Sequence, residues 1–232
     1  MKDLFGKALL DYQNGNYSED IITSTNISDE DVLPLPYLFR DFKDMPELEQ
    51  KALKLCKGSV LDVGCGSGSH SLYLQEKGFN VKAIDISKGA IKVCKQRGVL
   101  NTEVLNILNE KEIFDTILLL MNGTGIFQEL TQVSKHLSHL KSLLKPNGQI
   151  LIDSSDIKYM YEDEDGGYWM DMNSSYYGEL DYFLSYKGEK ESPMKWLYLD
   201  FETLKLACES VGLQCELVME GEHFDYLAQL SL

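Results

Sequence analysis

The chain has 232 residues, 44% of them hydrophobic and 25% charged, with a net charge of −15. This balance suits one folded domain with a sizeable core and excludes a disordered, collagen-like or low-complexity chain. The charge is uneven. Residues 1–150 hold 17 basic and 19 acidic side chains (net −2), and residues 151–232 hold 5 and 18 (net −13). Phosphate backbones are bound largely through Lys and Arg, so no nucleic-acid partner is expected, and a neutral or cationic acceptor is favoured. The longest apolar stretch, Ile113 to Met121, is interrupted by Asp115 and falls short of the roughly 20 residues that span a bilayer. The N-terminal stretch carries Asp3 and Asp11 without an apolar signal core, so no membrane partner or signal peptide is expected. Cys56, Cys65, Cys94, Cys208 and Cys215 are odd in number and form no CxxC pair. Reduced thiols in a cytoplasmic protein are expected, without disulfides or a metal site.

In chain order, residues 1–44 read as an N-terminal cap segment. A short amphipathic helix around Leu4, Phe5, Ala8 and Leu9 precedes a polar stretch, and the prolines make Leu33 to Pro36 extended. Asp44 to Glu47 reads as a capping box with Pro46 in the first turn of a helix that Lys57-Gly58 ends. Residues 59–63 are an apolar strand, 69–77 a helix stopped by Gly78, 81–85 a second strand. Ser87 caps a helix that Gly98 stops. Residues 103–106 are a third strand. The run DTILLLM, 115–121, suits a strand buried on both faces of a parallel sheet. Leu130, Val133, Leu137, Leu140 and Leu144 form a helical stripe. A Pro-Asn-Gly turn leads into a fifth strand, 149–154.

Strand and helix thus alternate as in a doubly wound α/β sheet. After Ser155 the alternation breaks. Residues 156–200 are rich in acids and aromatics, among them Tyr159, Tyr161, Tyr168, Trp169, Tyr176, Tyr177, Tyr182, Trp196 and Tyr198. They read as an insertion covering a substrate, with 180–186 and 194–199 pairing as a hairpin. A helix, 202–210, and two closing strands, 214–219 and 224–230, complete the chain.

The informative stretch is Val60-Leu61-Asp62-Val63-Gly64-Cys65-Gly66-Ser67-Gly68-Ser69, a strand ending in glycines where a helix begins. Such a turn brings backbone N–H groups close to a ligand beyond the carboxyl ends of the strands. The third glycine arrives one residue early for the dinucleotide fingerprint, and no Walker sequence is present. Asp85, 21 residues after Gly64 at a strand end, offers a carboxylate to a ribose.

The spacing Asp62-x-Gly64-x-Gly66-x-Gly68 resembles motif I of the class I S-adenosylmethionine-dependent methyltransferases, and the resemblance extends over residues 45–155. Phe114 to Leu120 looks like that family's fourth strand, and Leu137 to Ile152 like its next helix, turn and fifth strand. It implies a Rossmann-like methyltransferase fold: α/β, a doubly wound, mostly parallel seven-stranded sheet, with the aromatic and acidic insertion after the fifth strand. The methyltransferase domain would be 45–232. S-adenosylmethionine would be the cofactor. By this resemblance Gly64, Cys65 and Gly66 line its methionine part, with Asp62 behind them. Asp85 holds the ribose, Ile86 packs on the adenine, and Asn106-Ile107 reaches the adenine edge. Met121 and Asn122 face the transfer centre, and Tyr37 and Arg40 meet the cofactor carboxylate.

The methyl transfer itself would be an in-line displacement at a sulfonium onto a small-molecule acceptor. A base is needed only for an acceptor that must lose a proton, and Asp153, His223 and Asp225 are candidates. A nicotinamide-dependent oxidoreductase, a non-catalytic cofactor-binding protein and an RNA or protein methyltransferase stay open on the sequence.

Overall fold

A computed structural model describes residues 2–162, 165 and 176–232 of the chain. A glycine-rich turn and an acid at a strand end need a sheet that aligns their carboxyl ends, and such a sheet organises the molecule. Its seven strands are β3 (Ser59–Val63), β4 (Asn80–Asp85), β5 (Thr102–Val104), β6 (Phe114–Leu119), β7 (Leu144–Ser155), β11 (Gln214–Glu220) and β12 (Asp225–Ser231), in the spatial order β11-β12-β7-β6-β3-β4-β5. All pairs from β7 to β5 are parallel, and β12 runs antiparallel between β7 and β11. The order reverses at β3, so the glycine turn after β3 lies at the switch point where open α/β sheets bind ligands.

The apolar run of β6 is continuous because both of its faces are covered. Ile117 and Leu119 pack with Val133, Leu137 and Leu140 of α6 (Leu130–Ser142) and Leu204 of α7 (Phe201–Ser210). Leu118 packs on the opposite face with Leu48, Ala52 and Leu53 of α3 (Glu47–Leu55) and Leu74 of α4 (Ser69–Glu76). Each fully buried Leu or Ile stabilises by about 1.5–3 kcal/mol relative to exposure. Gly68, at φ 86°, starts α4 against α5 (Lys88–Arg97): a Cβ there would lie 2.9 Å from Cys94 Sγ and 3.0 Å from Val99. The third glycine therefore serves helix packing as well as the turn. Ser87 accepts the Ala90 N–H, and Gly98 ends α5 in the left-handed conformation, as their residue types require.

A second, antiparallel sheet joins residues far apart in sequence. β8 (Glu179–Tyr186) pairs with β10 (Met194–Leu197) and with the short β9 (Glu189–Lys190), the hairpin expected around Lys187-Gly188. The other edge of β8 pairs with β1 (Ile21–Thr25), which pairs with β2 (Asp31–Leu33). The N-terminal segment and the stretch after β7 thus share one sheet. Between it and α5 lies α1 (Leu4–Gln13), whose Leu4, Ala8 and Leu9 are buried with Val93, Ile21 and Leu184.

Three local expectations are corrected. Leu35–Leu38 form a short helix, α2, so the extended run stops at Leu33 and Pro34, and Pro36 in the first turn has no N–H that a helix would use. The capping box at Asp44 does not form. Pro46 sits at the N-cap without a side-chain bond, Asp44 belongs to a preceding 3-10 turn, and Glu47 is an exposed first-turn residue. The third strand ends at Val104 rather than Asn106, because the Asn106 side chain takes the Leu108 N–H and starts a 3-10 turn. Tyr168 and Trp169 lie outside the described residues.

Candidate cofactor and methyl-transfer site

The turn after β3 is tied to the end of β4. The N–H groups of Gly64 and Cys65 both reach the Ile84 carbonyl, at 2.9 and 3.1 Å. Asp85 Oδ2 accepts the Gly66 N–H at 3.0 Å, and its Oδ1 accepts the Ser87 N–H at 2.8 Å. Burial pushes the Asp85 carboxyl up to about 6, against the two N–H bonds that favour its charge. Ile86, beside it, is 63% exposed and presents an apolar face at the same edge. Asp62 is buried behind the turn and accepts the Ser71 hydroxyl at 2.5 Å; burial raises its carboxyl.

Beneath the turn runs a buried charge network that the sequence reading did not contain. Arg40 Nη2 pairs with Glu49 Oε1, and Glu49 Oε2 meets His70 Nε2 at 2.8 Å. Burial opposes the charge on Glu49, but His70 and Arg40 outweigh it and hold the carboxyl low. Burial likewise opposes a charged His70, and Glu49 with Asp62 raises the imidazole nonetheless. Arg40 also donates to the Tyr37 carbonyl at 2.6 Å and lies 3.9 Å above the Tyr37 ring. Its Nε is buried without a hydrogen-bond partner among the described residues. The signal in the sequence was a helix-start glutamate facing an arginine nine residues earlier, which no local rule connects.

Arg97 on α5 seals the other side of the turn. It donates to the Ser67 carbonyl at 2.9 Å and to the Ser67 and Ser69 hydroxyls at 2.8 and 3.1 Å. Ser67 in turn donates to the Leu38 carbonyl. The glycine turn is therefore braced on α2 and α5, and the N–H groups of Gly64, Cys65 and Gly66 are held by Ile84 and Asp85.

At the end of β6 the backbone turns through two successive non-glycine residues in the left-handed region, Met121 at φ 65° and Asn122 at φ 59°. Such residues cost of order 1 kcal/mol each and need outside support. Asp153 on β7 supplies it, accepting the Met121 N–H at 3.0 Å and the Gly123 N–H at 2.8 Å. Burial pushes Asp153 up to about 6. Met121 is partly exposed at the strand end. The Asn122 amide instead donates to the Leu197 carbonyl at 3.3 Å and accepts from Ser154 at 3.0 Å, which fastens β10 to β7.

The remaining residues are spread around this centre. Asn106 is exposed with its amide oxygen on Leu108, and Ile107 has its side chain in the main core and its carbonyl accepting from His139 at 2.9 Å. His223 is exposed in the turn before β12, where its N–H meets Asp225 at 3.1 Å. Asp225 and Asp153 both act electrostatically on the Tyr37 hydroxyl, and burial is the larger reason that phenol is raised. Burial pushes Tyr198, after β10, up to about 12, with Tyr182, Tyr159 and Asp153 adding to it. Trp196 packs on Gly125 and lies 5.5 Å from Tyr182. Two surface depressions among the described residues, of about 320 and 360 Å³, lie elsewhere, around Ile22 and Val32 and between α1 and α5.

No helix among the described residues is long and apolar enough to cross a membrane. A glycine turn stripped of Cβ atoms beside a ribose-height carboxylate fits an adenosyl cofactor. Residues 56–197 match the methyltransferase-domain family. The chain is 43% identical to an S-adenosylmethionine-dependent methyltransferase from Bacteroides fragilis in complex with S-adenosyl-L-homocysteine; the TM-score is 0.93, over 100% of this chain and 95% of that one. The CcbJ methyltransferase of Streptomyces caelestis, at 14% identity and a TM-score of 0.61, shares the fold over 80% of this chain and 89% of its own. The ubiquinone biosynthesis O-methyltransferase of Rickettsia conorii is 29% identical over 115 residues, 47% of this chain and 38% of that protein. The chain thus matches well under half the length of such curated relatives. From the glycine turn, the sheet order and the family match together, the chain belongs to the class I S-adenosylmethionine-dependent methyltransferases, with S-adenosylmethionine as its cofactor.

Proposed function

We propose that the protein transfers a methyl group to a small-molecule acceptor, neutral or cationic, held between the carboxyl ends of β6 and β7 and the second sheet. The observation that carries this reading is the composition of that space. Asp153 acts electrostatically on Tyr37 and on Tyr198, Asp225 acts on Tyr37, and Tyr159 and Tyr182 act on Tyr198. The nearby cation Arg40 is already paired with Glu49. Phenols and carboxylates suit a compact apolar or positively charged acceptor and offer nothing to a phosphate chain. On this reading residues 156–200 contribute the substrate cover.

When bound, the cofactor supplies a methyl already activated on a sulfonium. Gly64, Cys65 and Gly66 hold its methionine part through the backbone, Asp85 accepts from its ribose hydroxyls, and Ile86 packs on its adenine. Arg40, neutralised by Glu49 and stacked on Tyr37, would meet its carboxylate only through the Nε that has no partner among the described residues. The turn at Met121 and Asn122, held by Asp153, fixes the wall of the transfer centre. Positioning and exclusion of water then provide much of the acceleration. For an acceptor that must lose a proton, Asp153 and Asp225 are the candidate bases, Asp153 being engaged with the Met121 and Gly123 N–H groups.

The test is S-adenosylhomocysteine release, measured with panels of amines, phenols and carboxylic acids beside RNA and protein substrates. Turnover is expected with a low-molecular-weight acceptor. Turnover confined to RNA or protein would overturn this reading.

A further inference from the structure

The N-terminal helix sits where no requirement of the main sheet places it. Leu4, Ala8 and Leu9 of α1 fill the core between α5 and the second sheet. Phe5 packs at the margin of that core and is only half-buried. Its ring tip, Cζ, lies 3.9 Å from the position a Cβ on Gly66 would take. Gly66 is the residue whose N–H reaches Asp85.

Two attachments hold the helix there. The first is to α5, which begins directly after Asp85 and Ile86. The backbones of Gly6 and Gly89 touch with no room for a Cβ on either. Asp3 bridges them, accepting the Gly6 N–H at 3.1 Å and the Gly89 N–H at 2.9 Å. The second attachment comes from the far end of the chain. Glu191, between β9 and β10, is 8% exposed and accepts the Lys2 N–H at 2.7 Å and the Leu4 N–H at 2.8 Å. A carboxylate there satisfies orphan donors at a helix start and meets the positive end of the dipole. Lys7 and Lys2 add surface pairs to Glu189 at 2.7 and 3.4 Å.

We propose that α1 is the roof of the cofactor site, with the Phe5 ring closing over the cofactor beside Gly66 and Glu191 acting as the latch that holds the helix closed. The inference rests on the cofactor position at Gly64–Gly66 and Asp85 given above. It has a mechanical consequence. The latch lies in the connection between two strands of the sheet that carries Tyr182 and Trp196 and leads into Tyr198, so closing over the cofactor and setting the acceptor wall are movements of one connected piece. Phe5 is a binding residue for the cofactor, and Glu191 is a positioning residue acting through α1.

The experiment is calorimetric titration with S-adenosylhomocysteine of wild type, Phe5→Ala, Phe5→Leu, Glu191→Ala and Asp85→Ala, with backbone amide exchange of residues 4–13 followed with and without the ligand. Phe5→Ala is expected to weaken binding about tenfold, the loss of one aromatic contact, and Phe5→Leu to restore most of it. Ligand is expected to slow exchange across α1 in wild type. Glu191→Ala is expected to speed that exchange in the free protein and to hasten ligand dissociation. A Phe5→Ala affinity within about twofold of wild type, or α1 exchange indifferent to ligand, would overturn the proposal; should Phe5→Ala fail to fold, the wild-type exchange decides. Loss of affinity in Asp85→Ala beside unchanged binding in Phe5→Ala removes the roof alone. Absence of binding to folded wild type, or full affinity in Asp85→Ala, removes the cofactor position on which it rests.

Discussion

Asp85 receives the Gly66 N–H at 3.0 Å, so the acid ending β4 and the glycine turn ending β3 form one hydrogen-bonded unit beside the switch point between β3 and β6. Any change of charge at Asp85 is therefore felt in the turn that faces the cofactor.

That unit gives cofactor affinity a pH dependence. The folded carboxyl is pushed up to about 6 by burial, against about 3.9 in an unfolded chain. The folded state binds the proton more tightly, so the stability this group contributes is fully present below about pH 4 and is lost as pH rises through about 6, at most about 3 kcal/mol. Ligand binding runs the other way, because ribose hydroxyls donate to the ionised form. S-adenosylhomocysteine affinity is expected to rise with pH, up to about tenfold per unit, and to level off above about 6 to 7. Calorimetry from acid to neutral pH measures it. Asp85→Asn should bind weakly with a flattened profile, and an unaltered profile would exclude Asp85 as its source.

Gly89→Ala should behave against the usual rule. Alanine in a helix ordinarily stabilises by about 1 kcal/mol relative to glycine. At this position its Cβ would overlap the Gly6 backbone, so α1 must move off α5. Melting temperature and S-adenosylhomocysteine affinity are both expected to fall, the latter several-fold. A stabilised variant with full affinity would show that the contact is unimportant.

The Arg40–Glu49 pair is expected to be strongly non-additive. Arg40→Met leaves Glu49 buried with His70 alone, and breaking a buried pair costs about 3–5 kcal/mol. Adding Glu49→Leu should recover part of that loss, because the unmatched carboxylate is gone. Urea unfolding of the two single variants and the double variant gives the coupling; simple additivity would mean that solvent already screens the pair.

Asp153→Asn tests the turn at the end of β6. An amide offers one oxygen where the carboxylate serves both Met121 and Gly123, so one buried N–H loses its acceptor, at about 1–3 kcal/mol. The left-handed Met121 and Asn122 should then relax. The expected outcome is a lower Tm and a reduced kcat, with little change in the KM for S-adenosylmethionine. A variant with wild-type kcat would show that the strained turn is not needed for transfer.

Legibility in the sequence followed the range of each interaction. Strand 59–63 and the helix between Ser87 and Gly98 were read at their observed bounds, since a cap, a stop glycine and an apolar run are local signals. Pro36 was misread because two prolines suggested an extended chain, while proline early in a helix sacrifices no hydrogen bond. The spacing of Asp44 and Glu47 suggests a capping box that does not form, and Glu49, which no local rule singles out, takes Arg40 and His70 as partners through burial. The resemblance puts Met121 and Asn122 at the transfer centre and says nothing of where the Asn122 amide bonds. That amide is drawn to the Leu197 carbonyl, 75 residues away.

The sequence by itself determined the parallel sheet, its helices and the glycine turn with Asp85 at its edge, because hydrophobic period, chirality of crossovers and backbone freedom act over a few residues at a time. Tertiary structure alone decided that β1 pairs with β8, that Glu191 receives the backbone of Lys2 from 189 residues away, and that α1 lies beside the cofactor turn. Nothing in the neighbouring residues encodes those pairings. They form where long-range closure lets buried donors find acceptors, once packing of the core has brought both ends of the chain together.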